Sequence, residues 1–195
     1  MSTRQSAYRA LAATRPRPVV DGDPVTAFEA RLTVQGGRCL RLPDLPAARR
    51  WLAEFMATHG ADSVVADAQC LTLFASAEPP LAIRAAAARE EARIGLCRAL
   101  AGVAETGSVL LHPGKDSPLG LCFLAEHLVV LLRVVEVVDG LEALWERVRS
   151  GFAAQTPRAL CLVSGPSTSG DIEMQFATGV HGPVSLHVLL IEERG

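Results

Sequence analysis

Three short stretches of the sequence combine glycine with hydroxyl or charged side chains, and each adjoins an apolar run. They are Glu105-Thr106-Gly107-Ser108, residues 164–173 and residues 179–183. Glycine lets a ligand approach the backbone closely, and hydroxyl groups beside main-chain N–H groups favour a bound anion. These residue types predict a pocket for a small anionic ligand, such as a phosphate or a carboxylate.

The middle stretch supplies most of the candidate ligand-binding residues. They are Gly165, Pro166, Ser167, Thr168, Ser169, Asp171 and Glu173. A helix over residues 168–176 would add exposed N–H groups and a positive dipole end facing the anion. In the alternative interpretation, the serine and threonine side chains only cap that helix, and Gly165-Pro166 forms a turn. Asp171 and Glu173 diverge on a helix, so they are not predicted to act as a facing carboxylate pair.

Glu105 and His181 are the candidate catalytic residues. Glu105 lies in a tight turn, where it is either a nucleophile or base or a side chain that bonds turn amides. His181 is flanked by glycines, and a histidine pKa near 6.5 suits proton transfer, with a hydrogen-bonded loop histidine as the alternative. The remaining candidate ligand-binding residues are Thr106, Gly107, Ser108 and Gly182. No metal-binding residues are predicted.

Apolar runs separated by glycine turns predict the strands that must position these residues. Near-continuous apolar runs are typical of strands buried on both faces, so an α/β fold with a mostly parallel, helix-covered sheet is predicted. The predicted strands are 63–66, 94–96, 108–111, 128–134, 159–163 and 186–191. Helices are predicted over 44–59, 82–93 and 139–152, and the order of elements in 128–163 predicts a right-handed crossover.

The three glycine-bearing stretches are expected to converge. Open α/β sheets bind ligands outside the carboxyl ends of their strands, and the loop after Val163 is expected at that edge. The sequence therefore predicts one cleft there, formed by 105–108, 165–169, and His181 with Gly182.

Composition favours one globular unit and excludes some classes of function. The chain has 195 residues, of which 49% are hydrophobic. Residues 1–60 are predicted to form a helical or irregular region packed on the core, and 61–195 the α/β domain. The formal charge of −2 disfavours nucleic-acid binding. The 5 cysteines include no C-x-x-C pair, which indicates that this chain carries no cluster or other cofactor itself.

Neither a signal peptide nor a membrane span is predicted. The apolar stretch 119–138 is interrupted by charged residues, including Arg133 and Glu136, and is interpreted as a buried strand region. Residues 1–18 contain no apolar run of signal-peptide length. A cytoplasmic location is therefore expected.

Several motifs occur together in a characteristic order. They are Ala104-Glu105-Thr106-Gly107-Ser108, Glu126-His127-Leu128-Val129-Val130, Gly165-Pro166-Ser167 with Asp171-Ile172-Glu173, and Gly179-Val180-His181-Gly182-Pro183 with Leu186-His187-Val188. In this ordered set, residues 94–193 resemble the LUD domain of the LutC/YkgG family. One departure is Thr168, where the family usually has an arginine.

The resemblance implies a NagB/RpiA/CoA-transferase-like, Rossmann-like fold and a role in lactate utilization. It implies an accessory subunit of a system that oxidises L-lactate to pyruvate with iron–sulfur partner subunits, hence a component rather than a complete enzyme. One alternative is a free-standing enzyme for an anionic acyl or phosphorylated metabolite, with Glu105 as the nucleophile of CoA-transferase-like chemistry. Another is a structural partner with an inactive pocket, which the missing arginine at Thr168 favours.

Overall fold

The computed structural model describes residues 20, 22–75, 80–87, 91–114, 117, 119–153, 157–170, 176–178 and 182–192. Its helices are α1 Pro24–Val34, α2 Leu45–Thr58, α3 Ala68–Phe74, α4 Leu119–Leu124 and α5 Leu141–Gly151. The strands up to the middle of the chain are β1 Arg38–Leu42, β2 Val64–Ala66, β3 Ile83–Ala85, β4 Ala92–Arg98, β5 Ala101–Val103 and β6 Ser108–Leu111. The later strands are β7 Ala125–Arg133, β8 Val137–Val138, β9 Cys161–Val163, β10 Thr168–Gly170, β11 Phe176–Thr178 and β12 Ser185–Ile191, with a 3-10 turn at Val134–Glu136.

A six-stranded parallel sheet, in the order β1-β12-β7-β4-β2-β3, forms the centre of the molecule. Its inner strands β12, β7, β4 and β2 are largely apolar on both faces because both faces are covered. Along β12, Val188 and Leu190 belong to the core cluster that includes α1 and α4, whereas Leu189 and Ile191 belong to the cluster beneath α2 and α3. The α/β fold and the mostly parallel sheet predicted from the sequence are confirmed.

A second, four-stranded sheet in the order β8-β5-β6-β9 packs against one face of the first sheet. Its strand β6 alternates between two cores. Val109 and Leu111 contribute to the core that also contains α1, while Leu110 packs with Leu144 of α5. The second sheet therefore lies between the parallel sheet and α5.

The predicted helix over 44–59 is confirmed as α2. Asp44 precedes it, and the Asp44 carboxylate accepts a hydrogen bond of 2.7 Å from the Ala47 N–H, which satisfies one of the free amides of the first turn. Ala48, Leu52, Phe55 and Met56 form the buried face. Residues at this spacing lie on one side of a helix, which is why the sequence pattern identifies it.

Two predicted elements before residue 140 are wrong. Residues 82–93 are not a helix in their described parts, because β3 and β4 pair in parallel on either side of β2. The alanines favour a helix locally, but pairing with the buried strand β2 decides the conformation. Likewise, 119–138 begins with the short helix α4 before entering β7.

The predicted crossover within 128–163 is also wrong. Strand β7 lies in the parallel sheet, whereas β9 pairs antiparallel with β6 in the second sheet. The 3-10 turn at Val134–Glu136 lets the chain leave the first sheet before α5 begins, so α5 connects two strands of the second sheet.

The first part of the chain contributes directly to the core. Strand β1 is an edge strand of the parallel sheet and pairs with β12. On α1, the side chains of Phe28 and Leu32 are fully buried. The division into 1–60 and 61–195 stays a prediction. In the part of the chain that the structure describes, no helix is long and apolar enough to cross a membrane.

Candidate functional site

The first predicted stretch, 105–108, forms the turn between β5 and β6 and packs on α1. Gly107 adopts a φ of +67°, and a Cβ at this position would lie 2.4 Å from the backbone nitrogen of Leu32. The Arg31 guanidinium donates a hydrogen bond to the Glu105 carbonyl. The glycine that was expected to admit a ligand instead admits the backbone of a helix.

Parts of the three predicted stretches do meet. The Oγ atoms of Ser108 and Ser164 are 2.7 Å apart, and the Thr106 hydroxyl donates to Ser108 Oγ at 2.8 Å. The Ser167 N–H donates to the Pro183 carbonyl at 2.8 Å, and a Cβ on Gly182 would lie 3.0 Å from Ser167 Cβ.

The predicted position of this meeting at the carboxyl edge of the sheet is wrong. Pro183 lies two residues before β12 begins, and the Val184 N–H donates to the carbonyl of Glu126 at the start of β7. The contacts therefore lie at the amino end of the parallel sheet. The expectation fails because β9, which precedes the middle stretch, belongs to the second sheet.

The start of the middle stretch packs against the C-terminal end of α1. It does not form the predicted anion site at the N-terminus of a helix. A Cβ at Gly165 would lie 2.2 Å from the Gln35 carbonyl oxygen, and the ring of Pro166 lies 3.4 Å from where a Cβ on Gly36 would be. The predicted helix start at Thr168 is wrong, because Thr168–Gly170, which includes Ser169, is a strand paired with Phe176–Thr178. Asp171, Glu173 and His181 lie outside the described residues.

Glu105 caps a helix. Its Oε2 accepts a hydrogen bond of 3.0 Å from the Leu141 N–H, the first amide of α5. The Glu105 N–H in turn donates to the Asp139 carbonyl at 2.9 Å. A carboxylate near a helix N-terminus satisfies a free amide and stabilises the positive end of the dipole. Of the two interpretations of Glu105, the structure favours the one in which its side chain bonds backbone amides.

The carboxyl edge of the parallel sheet carries a different polar cluster. Strand β2 leads into α3 on one face, while its neighbour β4 leads into the second sheet on the other face. This divergence creates the crevice in which open α/β sheets bind ligands. Asp67 follows β2 and Arg98 ends β4, and the Asp67 carboxylate accepts from the N–H groups of Cys70 at 2.8 Å and Arg98 at 2.7 Å.

Arg98, which is partly buried, and Glu136, which is buried, form an ion pair at this edge. Arg98 Nη2 lies 2.5 and 2.6 Å from the two Glu136 oxygens, and Arg98 Nη1 donates to the carbonyls of Ala99 and Leu131. Arg133 adds two further side-chain hydrogen bonds to Glu136. Burial raises the pKa of Glu136, but the hydrogen bonds from Arg98 and Arg133 outweigh it, so this pKa lies below its usual value. Glu136 is therefore ionised, and its negative charge is shared between two arginines.

A cavity of about 260 Å³ lies next to this pair, between the edge of the parallel sheet, the second sheet and α5. Its apolar wall comes from Ala101, Leu110 and Leu144. Helix α5 also contributes Arg147, Val148, Gly151 and Phe152, and the polar remainder includes Gln69, Arg98 and Glu136. This crevice, hereafter the edge crevice, is the candidate functional site.

The sequence motifs do not indicate the edge crevice. In the sequence, Glu136 only interrupts an apolar stretch, and no motif includes Arg98. A charged residue at the end of a buried strand needs a partner, and that is the signal that could have identified both. No cluster of His, Cys, Asp or Glu within the described ranges could hold a metal ion.

The family model of the LUD domain matches residues 68–191. The chain belongs to the LUD-domain family. The LUD match begins at α3 and ends with β12, so it includes Arg98, Glu136 and all of the second sheet.

Curated LUD-domain relatives match over about half of their length. The uncharacterized protein YkgG of Escherichia coli K12 is 32% identical over 106 residues, which cover 53% of this chain and 46% of YkgG. Lactate utilization protein C of Oceanobacillus iheyensis is 29% identical over 105 residues, covering 53% of this chain and 45% of that protein. The Bacillus subtilis protein of the same name is 29% identical over 107 residues, covering 54% and 45%.

A solved structure shares the fold of this LUD-domain chain. It is a DUF162 family protein from Deinococcus radiodurans, with a TM-score of 0.55 and 19% sequence identity, covering 89% of this chain and 99% of that one. This shared α/β architecture fits the NagB/RpiA/CoA-transferase-like fold implied by the sequence motifs.

Proposed function

We propose that this LUD-domain protein is an accessory component of a lactate-utilization system. The names of its relatives, Lactate utilization protein C in two bacteria, support the pathway. The capping of α5 by Glu105 is the observation that favours a component over a complete CoA-transferase-like enzyme. A carboxylate that accepts a hydrogen bond from a helix N-terminal amide is a weaker nucleophile, because the bond stabilises its negative charge.

In this proposal the redox centres lie on iron–sulfur partner subunits, and the chain itself carries none. Oxidation of L-lactate to pyruvate releases two electrons and two protons, so electron carriers are needed. Burial raises the pKa of the thiols of Cys39, to about 12, and of Cys70 and Cys161. Because clusters bind thiolates, these cysteines are poorly suited to hold one. The five free thiols are also compatible with the reducing cytoplasm that we propose as the location.

Affinity purification from the native host tests the partner proposal. The tagged chain is expected to bring down proteins whose absorption spectrum and iron content show iron–sulfur clusters. Deletion of the chromosomal copy is expected to abolish or slow growth on L-lactate but not on glucose, and the intact chain is expected to restore it. Unchanged growth on lactate together with no iron–sulfur partner would overturn the proposal.

The fold supports a second candidate, an enzyme that acts on an anionic acyl or phosphorylated metabolite. In CoA-transferase-like chemistry, the Glu105 carboxylate would attack an acyl-CoA thioester, form a mixed anhydride and release the CoA thiolate. Incubation with acetyl-CoA, followed by mass spectrometry of the intact chain, tests this. A mass increase that disappears in Glu105→Gln would favour the enzyme, and an unmodified chain would exclude Glu105 as its nucleophile for that donor.

A further inference from the structure

We propose that the edge crevice binds a small monocarboxylate that carries an apolar group. The inference rests on the cavity alone and is independent of the pathway and partner proposals. It replaces the expected anion site at the glycine-bearing stretches with one at the opposite end of the parallel sheet.

The position of the cavity is typical of a ligand site. It lies where β2 and β4 send the chain to opposite faces of the sheet, between two packed sheets and a helix. Its volume of about 260 Å³ suits a small metabolite. The ion pair between Arg98 and Glu136 fixes the polar side of the crevice, because each of these side chains makes at least four hydrogen bonds.

The apolar wall specifies one part of the ligand. The apolar surface that a ligand can reach comes from Leu100, Val148 and Phe152, which line the crevice and are partly exposed. Leu110 and Leu144 lie behind this surface, each at most 1% exposed, and support it. Such a surface recognises a short hydrocarbon group rather than a sugar or a polar headgroup.

The charged residues of the lining determine the charged group of the ligand. Arg98 and Glu136 neutralise each other, so Arg147 leaves the lining with one net positive charge. The side-chain amide of Gln69 adds a hydrogen-bond donor to the lining. One net positive charge matches one carboxylate, whereas a phosphate dianion would leave charge uncompensated. The ligand class is therefore a monocarboxylate whose apolar group faces Val148 and Phe152.

Ligand-observed NMR titration of the purified full chain tests the proposal with 4-methylpentanoate as the probe. We expect saturable binding of this carboxylate, and weaker binding of 4-methylpentan-1-ol, acetate and inorganic phosphate. Arg147→Gln is expected to weaken 4-methylpentanoate binding about tenfold by removing a charged partner. Arg149→Gln is the matched control, because it removes the same charge from the same helix away from the crevice.

A second pair of variants tests the cavity without disturbing its charges. Positions 144, 147, 148 and 151 form one stripe of α5, and a Cβ at Gly151 would meet no atom within 4 Å. Gly151→Leu is therefore expected to fill the crevice and abolish binding while the thermal midpoint stays the same or rises. Ser150→Leu, at the neighbouring exposed position, is expected to leave binding unchanged.

Three results would overturn the proposal. The first is the absence of saturable binding of 4-methylpentanoate to the folded chain. The second is equally tight binding of the alcohol, which would show that the charge is not used. The third is any result that places the bound molecule elsewhere, either an equal effect of Arg147→Gln and Arg149→Gln or unaltered binding in Gly151→Leu. None of these results depends on whether an iron–sulfur partner is found.

Discussion

His187 is buried on the face of the parallel sheet beneath α2. There, one hydroxyl group lies within hydrogen-bond distance of two histidine rings. Ser185 Oγ lies 2.8 Å from Nδ1 of His127 and 3.0 Å from Nε2 of His187. Because a hydroxyl has one proton, one ring nitrogen must accept from it and the other must donate to it. Nδ1 of His187 has no hydrogen-bond partner among the described residues. It is therefore expected to be the unprotonated nitrogen, with Nε2–H donating to Ser185 and the Ser185 hydroxyl donating to His127.

This arrangement favours the neutral form of both histidines. Burial, aided by the charges of Arg38, His127 and His59, lowers the pKa of His187 to about 4. Burial also lowers the pKa of His127, and the nearby Glu126 only partly opposes this. Trp51 and Phe55 cover the pair with ring centroids 5.6 and 4.7 Å from that of His187, and they add no charge.

The depressed pKa of His187 predicts a loss of stability in mild acid. An unfolded histidine titrates near pH 6.5, so between pH 6.5 and about 4 the unfolded chain binds a proton that the folded chain does not. The free energy of unfolding is expected to fall across this window, by up to about 3 kcal/mol from His187 alone. Urea unfolding of the native chain and of His187→Phe at pH 7 and pH 4.5 measures it. In His187→Phe, the free energy of unfolding should fall less between pH 7 and pH 4.5 than in the native chain. An equal fall in both proteins would contradict the prediction.

At the scale of elements, α5 depends on a cap supplied from a distant turn. Gly140 precedes α5 and offers no side chain, so the Glu105 carboxylate takes the capping role. Glu105→Ala is expected to lower the free energy of unfolding by about 1 kcal/mol, and Glu105→Gln by less, because the amide oxygen can still accept the bond. Urea unfolding tests this, with the exposed Glu146→Ala as the control. A cost for Glu146→Ala equal to that of Glu105→Ala would show that only charge matters.

The contact between the β5–β6 turn and α1 depends on the absence of a side chain at Gly107. Gly107→Ala adds a methyl group 2.4 Å from the Leu32 nitrogen in a backbone conformation that already disfavours alanine. Gly60→Ala isolates the second effect, because Gly60 also has a positive φ of +59° but an open surrounding space. We expect Gly60→Ala to cost about 1 kcal/mol and Gly107→Ala at least twice that in thermal or urea unfolding. An equal loss of unfolding free energy in the two variants would contradict the expected clash between the added methyl group and the backbone of α1.

At the scale of the whole molecule, the Arg98–Glu136 pair joins the two sheets. Arg98 ends β4 of the parallel sheet, and Glu136 lies in the turn through which the chain enters the second sheet. Glu136→Leu leaves the guanidinium of Arg98 without its counter-ion, whereas Arg98→Met leaves Glu136 paired with the half-exposed Arg133. Glu136→Leu is therefore expected to lower the free energy of unfolding by about 3–5 kcal/mol, and Arg98→Met by less.

The double variant is expected to cost less than the sum of the two single changes, because the only partner that it leaves unpaired, Arg133, is half-exposed to solvent. Urea unfolding of the native chain, the two single variants and the double variant measures the coupling energy between Arg98 and Glu136. Additive costs would show that the pair is not coupled. Because both side chains line the edge crevice, the double variant is also expected to bind 4-methylpentanoate less tightly.

Local patterns in the sequence determined the elements that follow simple periodicity. Helix α2 was predictable because its apolar residues recur at helical spacing after the Asp44 cap. Most strands were predictable because burial on both faces leaves continuous apolar runs, and the ordered motifs of 94–193 identified the LUD family. In each case the information lies within a few neighbouring residues or in a fixed order of short motifs.

The tertiary structure alone decided which strands share a sheet, and this choice determined the candidate site. Strand β9 has the same kind of apolar pattern as a strand of the parallel sheet, but it pairs with β6, so the glycine-bearing loop after it lies at the amino end. The pairing of Arg98 with Glu136, 38 residues apart, depends on the turn between the sheets. The role of Glu105 likewise depends on where α5 begins in space. Hydrogen-bonding partners distant in sequence leave no local pattern, because each partner alone is compatible with several folds.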